Sequence, residues 1–230
     1  MKRFIYDTHV HTSEVSSCAR ASAEDIVRFY KSVGFTGIII TDHFVVGDKN
    51  MLSAKDWEES VEKLCTGYEK ALKIGEEIGL QVFFGWEYTR YPLSGTDFLT
   101  YGLNASWLAE HPEISEMRLP EYLDFIRNNG GFVSHAHPYR EAAYIEMIRL
   151  LPSKVDATEV LNANRTEFEN DRAAEFAQNY SLFYTYGTDN HLGFDQKKLA
   201  GMVFDRKLNN INDFITAVKE GKAELFCRNA

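Results

Sequence analysis

The sequence of 230 residues predicts an α/β fold, one domain over residues 1–230, built on a mainly parallel sheet that is either closed as a barrel or open and doubly wound. Three observations predict it. Seven short apolar runs rich in β-branched and aromatic residues recur along the chain. Helical patterns separate most of them. Polar and titratable residues cluster where the runs stop, as at the C-terminal ends of parallel strands.

The runs are residues 4–6, 37–41 (GIIIT), 82–84 (VFF), 98–101 (FLTY), 132–134 (FVS), 158–161 (TEVL) and 182–186 (LFYTY). Each suits a buried strand. The first helix is SAEDIVRFYKSVGF, with Ile26, Phe29, Tyr30 and Val33 on one face, Ser22 as N-cap and Gly34 as stop. In the second, Trp57, Val61, Leu64, Tyr68 and Leu72 recur at helical spacing and Gly79 follows. PEYLDFIRNNGG begins near Pro120 and ends in glycines. TEFENDRAAEFAQNY and NINDFITAVKEG repeat the form. Residues 44–53 and 90–97 read as loops after strands, where binding loops of a barrel lie.

A 44% hydrophobic content allows a substantial core. With 34 acidic against 25 basic residues and a net charge of -9, an extended nucleic-acid-binding face is not expected. Cys18, Cys65 and Cys227 are far apart and odd in number, so a disulfide framework is not expected and a reducing compartment is. The N-terminus meets acid and histidine after three apolar residues, too early for a signal-peptide core, and no run reaches membrane-span length. The expected location is the cytoplasm. Nothing in the sequence fixes an oligomeric state.

Six of the seven histidines fall at run ends. The first run ends in Asp7, His9 and His11, and an i, i+2 pair on an extended segment points both rings to one side. The second ends in Asp42 and His43, and the third in Glu87. The fifth ends in His135 and His137, and the seventh in Asp189, Asn190 and His191. His135 either ligates or packs. His111, in LAEHPEI, reads as a surface residue. Nitrogen and carboxylate donors without thiolate suit Zn, Mn or Fe. They exceed what one catalytic ion needs, so a cluster of two or three divalent ions is expected. Arg140 and Arg165 sit just beyond strands, and the arginine fork matches phosphate. Arg140 is the stronger candidate. Arg20 is a further loop cation, and Glu159 or Asn162 could orient a ligand.

Five motifs, DTHVHT (7–12), TDH (41–43), GWEYT (85–89), GGFVSHAHP (130–138) and GTDNH (187–191), resemble in content and order those of the PHP (polymerase and histidinol phosphatase) family of metal-dependent phosphoesterases. The resemblance runs from residue 4 to about 228. It implies a distorted (β/α)7 barrel of TIM-like form. It implies hydrolysis of a small phosphorylated metabolite or nucleotide by metal-bound hydroxide at a trinuclear centre. His9, His11, Glu87 and Asp189 would hold a first metal. Glu87 would bridge to a second with His137, and His43 and His191 would hold a third. Where the family offers a histidine after its fourth strand, this chain has Asp97. Where the family offers a ligand after its HxHT, Glu14 is the replacement and Cys18 the poorer one. Asp189, His191, Glu87 and Arg140 would be the catalytic set. The competing functions are a metal-dependent hydrolase of a C–N or ester bond on the same barrel, and a non-catalytic phosphate- or partner-binding module. The complete core ligand set argues against the latter.

Overall fold

The computed structural model describes residues 3–47 and 54–230. It is a mixed α/β fold whose sheet is nearly closed into a barrel. Its elements are β1 (Phe4–Val10), α1 (Ala23–Ser32), β2 (Gly37–Ile40), β3 (His43–Val46), α2 (Trp57–Ile78), β4 (Gln81–Arg90), β5 (Asp97–Tyr101), α3 (Ala105–Ala109), α4 (Leu119–Asn128), β6 (Phe132–His135), β7 (Ala157–Asn162), α5 (Glu167–Asn179), β8 (Phe183–Gly187), β9 (Lys198–Phe204), α6 (Ile211–Lys219) and β10 (Glu224–Asn229).

All seven apolar runs form strands, short of Thr41 and Leu182 at two of their ends, and most are buried on both faces between sheet partners. The five expected helices form with side-chain caps at four starts: Ser22, Asp56, Thr166 and Asn210 each accept a backbone N–H of the first turn. Gly79 ends α2 in the left-handed conformation. The α1 face of Ile26, Val27, Phe29 and Tyr30 packs with α2 and the sheet, while Trp86, Tyr88 and Tyr122 anchor the core on the other side.

The strand order is β10-β9-β1-β2-β4-β5-β6-β7-β8, with β3 also paired to β4. β1, β2 and β4 are mutually parallel neighbours, as are β6, β7 and β8. The segment after β8 returns to β1. Asp189 N–H donates to His9 O (2.9 Å) and His11 N–H to Asn190 O (3.0 Å).

The expectation of seven regularly alternating β/α units needs three corrections. β5 runs antiparallel to both neighbours, so its first residue, not its last, lies at the site end. β9 and β10 add an antiparallel extension beside β1. Residues 44–46 of the loop expected over 44–53, together with His43, form β3, which pairs His43 directly with Glu87 of β4. The rest of that expected loop, residues 48–53, lies outside the described residues. No helix among the described residues is long and apolar enough to cross a membrane.

Candidate metal centre

Strand geometry brings the distant motifs together. His9 and His11, two apart on β1, place their ring centroids 5.0 Å from each other. His43 joins from β3, Glu87 from β4, His137 from the turn after β6, and Asp189 and His191 from the segment after β8. Three groups have ligand atoms within 4.8 Å of one another: His9, His11 and Asp189; His9, Glu87 and His137; and His11, His43 and His191. Every histidine placed in the ligand set by the sequence is present.

Hydrogen bonds select the ring atom each inner histidine presents. The Nδ1–H of His9 donates to Glu159 Oε1 (2.9 Å), and the Nδ1–H of His11 donates to Ser16 Oγ (3.1 Å). Both Nε2 lone pairs then point inward, as a metal-ligating imidazole requires. These two Nε2 atoms are buried without a hydrogen-bond partner, and buried Glu87 Oε2 has the His43 Nδ1 at 2.7 Å. Such orphans are costly unless a cation serves them. Glu87 Oε2 lies 3.5 and 3.4 Å from the two Nε2 atoms, and Asp189 Oδ1 lies 3.5 and 3.3 Å from them. Two ligands about 2.1 Å from one tetrahedral ion stand about 3.4 Å apart. The inner residues therefore fit an ion.

The electrostatics agree. Burial favours neutral carboxyls, but His43 and His9 hold Glu87 well below the usual range, and His9 and His11 do the same to Asp189. A divalent cation would replace the imidazolium charge these carboxylates otherwise demand. Two of the candidate ligands also occupy left-handed backbone, His137 at φ 27° and Asp189 at φ 59°. Non-glycine residues rarely do so, and such strain concentrates at functional sites.

Second-layer groups fix the ligands, and sequence analysis identified only some of them. Glu159 accepts from the His9 ring, from His137 N–H (3.0 Å) and from Asn162 Nδ2 (3.0 Å). Asp42 accepts Thr12 N–H (2.7 Å), Thr12 Oγ1 (2.6 Å) and Ser16 Oγ (2.7 Å), so it positions the 12–16 turn. Ser16, which the sequence did not single out, also accepts His43 N–H (3.1 Å). Asp7 ties β1 to the segment after β8 by accepting Thr188 N–H (3.0 Å), and it accepts Tyr30 Oη (2.6 Å). Burial pushes Asp7 and Asp42 up to about 6, opposed by these hydrogen bonds.

The remaining candidates divide. Asp97 is buried at the start of β5 and accepts Thr89 Oγ1 (2.5 Å), outside the three ligand groups. Burial and nearby Glu87 raise its carboxyl, and His137 pulls it back. Glu14 also lies outside those groups: its carboxylate accepts Ala23 N–H (2.9 Å) at the start of α1 and stands 3.7 Å from Lys70. Cys18, exposed in the same loop, likewise lies outside those groups. Partial enclosure raises its thiol, but the nearby imidazoles of His191 and His43 bring it down to about 6. His135 stacks on Phe98 (4.6 Å) within the core, where burial lowers its imidazole to about 3. His111 stacks on Trp107 at 4.1 Å, away from the centre. Arg140 is half-buried, its guanidinium carbon 5.5 Å from the centre of the Tyr144 ring and its Nε without a partner; burial lowers its pKa, but Tyr144 and the Asp189, Glu87 and Asp97 carboxylates raise it overall. Arg165 Nη1 is 3.9 Å from Glu169, and Arg20 is exposed with its N–H on His191 O.

No protein-family model and no curated protein matches the chain. Solved structures do. A two-domain protein from Bacteroides vulgatus containing a predicted PHP-like metal-dependent phosphoesterase aligns with a TM-score of 0.67 at 14% identity, over 98% of this chain and 65% of its own. The chain thus spans just under two thirds of that protein. A protein from Bifidobacterium adolescentis, assigned as a metal-dependent phosphoesterase, aligns at 0.55 and 16% identity, over 92% and 94% of the two chains. An amidohydrolase from Chromobacterium violaceum aligns at 0.61 and 12% identity, over 95% and 97%. In its fold, this chain resembles the PHP-like metal-dependent phosphoesterases.

Proposed function

We propose that the protein is a metal-dependent phosphoesterase that hydrolyses a small phosphorylated metabolite or nucleotide at a centre of two or three divalent ions, Zn, Mn or Fe. Arg140 carries the proposal. Three overlapping groups would hold several cations against two inner carboxylates, and those carboxylates act on the charge of Arg140, whose Nε is buried without a partner. A site so rich in positive charge accepts an anion, and the arginine fork suits phosphate oxygens.

Divalent ions bound there supply Lewis-acid polarisation and lower the pKa of water. The chain's residues do the rest. Glu87, with Oε1 on His137 (3.1 Å) and Oε2 toward His43 (2.7 Å), spans the ligand groups and spaces them. Asp189 is held by its N–H on His9 O, which aims its carboxylate at both inner rings. His191 donates its Nδ1–H to Asp189 O (2.9 Å), which leaves its other nitrogen for the group with His11 and His43. Arg140 takes the phosphate oxygens left over. Fixed groups of this kind lower a charged transition state without reorganising. Glu14 and Asp97 are kept as outer ligands only if an ion displaces their present partners.

The test is chelation followed by restoration with Mn or Zn, assayed on sugar, amino-alcohol and nucleoside phosphates. Phosphate release should vanish on chelation and return with metal. Arg140→Ala should raise KM more than it lowers kcat. A metal-loaded protein inert on every phosphoester but active on an amide or lactone would overturn the proposal in favour of C–N or ester hydrolysis.

A further inference from the structure

At one end of the strand order the segment after β8 returns to β1. At the other end β10 pairs with β9 alone among the described residues. Its ladder with β9 runs through six successive pairs, from Glu224↔Val203 to Asn229↔Lys198, without a shift of register. Just beyond it, Ala230 N–H donates to Lys197 O (2.9 Å). Bonded and non-bonded pairs alternate along an antiparallel ladder. Residues 224, 226 and 228 therefore also bond to β9, and the N–H and C=O of Leu225, Cys227 and Asn229 point away from it. Natural sheet edges are blunted by proline, by a bulge or by an inward-pointing charge. The ELFCRN strand has no proline and an unbroken ladder, and its charged residues, Glu224 and Arg228, are exposed. Both lie on the face of Phe226: Glu224 meets Arg3 (3.2 Å), and Arg228 sits 5.4 Å over the Phe226 ring.

We infer that two copies of this chain associate edge to edge through β10, antiparallel about a two-fold axis at Phe226, and so form one continuous sheet. An antiparallel copy must set outward-pointing residues opposite one another. With the axis at Cys227, Glu224 would meet Ala230 and no opposite charges would pair. With the axis at Leu225, Arg228 would meet Lys222, a like charge. With the axis at Phe226, Leu225 of each copy exchanges both backbone bonds with Cys227 of the other. Glu224 of each copy then stands opposite Arg228 of the other, in the closer, non-hydrogen-bonded kind of pair where opposite charges attract across strands. The overall charge of -9 opposes association at long range, but this strand carries one charge of each sign and meets its own complement.

Sedimentation equilibrium of the whole chain tests this, and its mass should rise with concentration from one copy to two. Cys227→Pro removes an N–H that points away from β9, where an edge strand tolerates proline, so it should leave the chain folded by circular dichroism and monomeric. Arg228→Glu sets like charges opposite each other and should weaken the dimer by roughly tenfold, and adding Glu224→Arg should restore it. Cys227 would lie diagonally, about 7–8 Å, from its own copy, too far for a disulfide. In a Cys18→Ser background, mild oxidation should therefore cross-link Leu225→Cys to Cys227 of the second copy, whereas Cys227 alone should not cross-link. A chain that stays monomeric at every attainable concentration would overturn the inference. A dimer that survives Cys227→Pro in the folded chain would also overturn it. If that variant does not fold, the charge variants decide: a double variant no tighter than Arg228→Glu alone overturns the pairing. Efficient cross-linking through Cys227 alone would overturn the axis at Phe226.

Discussion

Gly187, the last residue of β8, is expected to control metal affinity although it has no side chain. Its φ is not left-handed, so alanine is acceptable to the local backbone. Space is the difficulty. A Cβ there would lie 2.5 Å from His9 Cβ, 2.7 Å from Glu159 Oε1 and 3.2 Å from His9 N. Carbon atoms pack at about 3.5–4.0 Å, so the first contact is short by about 1 Å. His9 Cβ cannot rotate away, because the backbone of β1 fixes it. Either β8 separates from β1, stretching the 2.9 Å bond from Asp189 N to His9 O, or Glu159 leaves the His9 ring. Overpacking of this kind costs about 1–3 kcal/mol. For a chain of this size that lowers Tm by about 2–12 °C. Disturbing a partner of a ligand costs about 10–100-fold in metal affinity. Gly187→Ala should therefore bind metal at least tenfold more weakly in a competition titration with a chromophoric chelator. Gly221→Ala is the control: nothing lies within 4 Å of its added Cβ, and only its φ of 66° is strained. It should lose about 1–2 kcal/mol of stability and no metal affinity. Native affinity and stoichiometry in Gly187→Ala would refute the reasoning, because β1 and β8 would then not be held at the observed spacing.

Glu159→Gln must turn an NH2 toward one of three donors, so denaturant unfolding should show a loss of about 1–3 kcal/mol. Metal titration should show about 10–100-fold weaker binding at the inner groups. Asp189→Asn should lower kcat by at least about a hundredfold while Tm moves only a few degrees; a Tm loss proportionate to the activity loss would indicate a structural ion. Adding metal at about 100 times its Kd should stabilise the protein by about 2.7 kcal/mol per site. Calorimetry should then record a Tm rise of about 5–11 °C, reversed by chelation.

The site was more legible than the topology around it. Histidine and carboxylate at the ends of apolar runs are visible because a parallel strand fixes where its end lies, and His9, His11, His43, Glu87, His137, Asp189 and His191 do meet. Strand direction leaves no such mark. The FLTY run reads the same whichever way it enters the sheet, and β5 enters reversed. HFVV was hidden because it begins within TDH, at His43, and pairs with β4 across a long sequence gap. KLAGMVF and ELFCRN form an antiparallel edge on β1, which depends on non-local pairing rather than on a pattern of their own. Side-chain allegiance in the 13–21 loop was equally unreadable. Glu14 reads as the replacement ligand there, but its carboxylate is taken by the start of α1. Ser16 gave no signal, since one serine in SEVSSCARAS resembles another until the turn is folded.

The reversal of β5 changes how the rim can vary. In regular α/β units, each rim loop leads down to a helix, so altering the loop strains the wall behind it. Here residues 91–96 join two adjacent antiparallel strands and return at once to the same edge. Their tip does not stand alone: a Cβ on Gly95 would come within 2.4 Å of Ile145, from the segment that follows Arg140. The hairpin and the arginine-bearing segment thus lean on each other like the two halves of an arch. Lengthening the hairpin would leave the barrel wall intact and shift Arg140's segment instead, so this family of shapes can alter which molecules it admits without rebuilding what holds the ions.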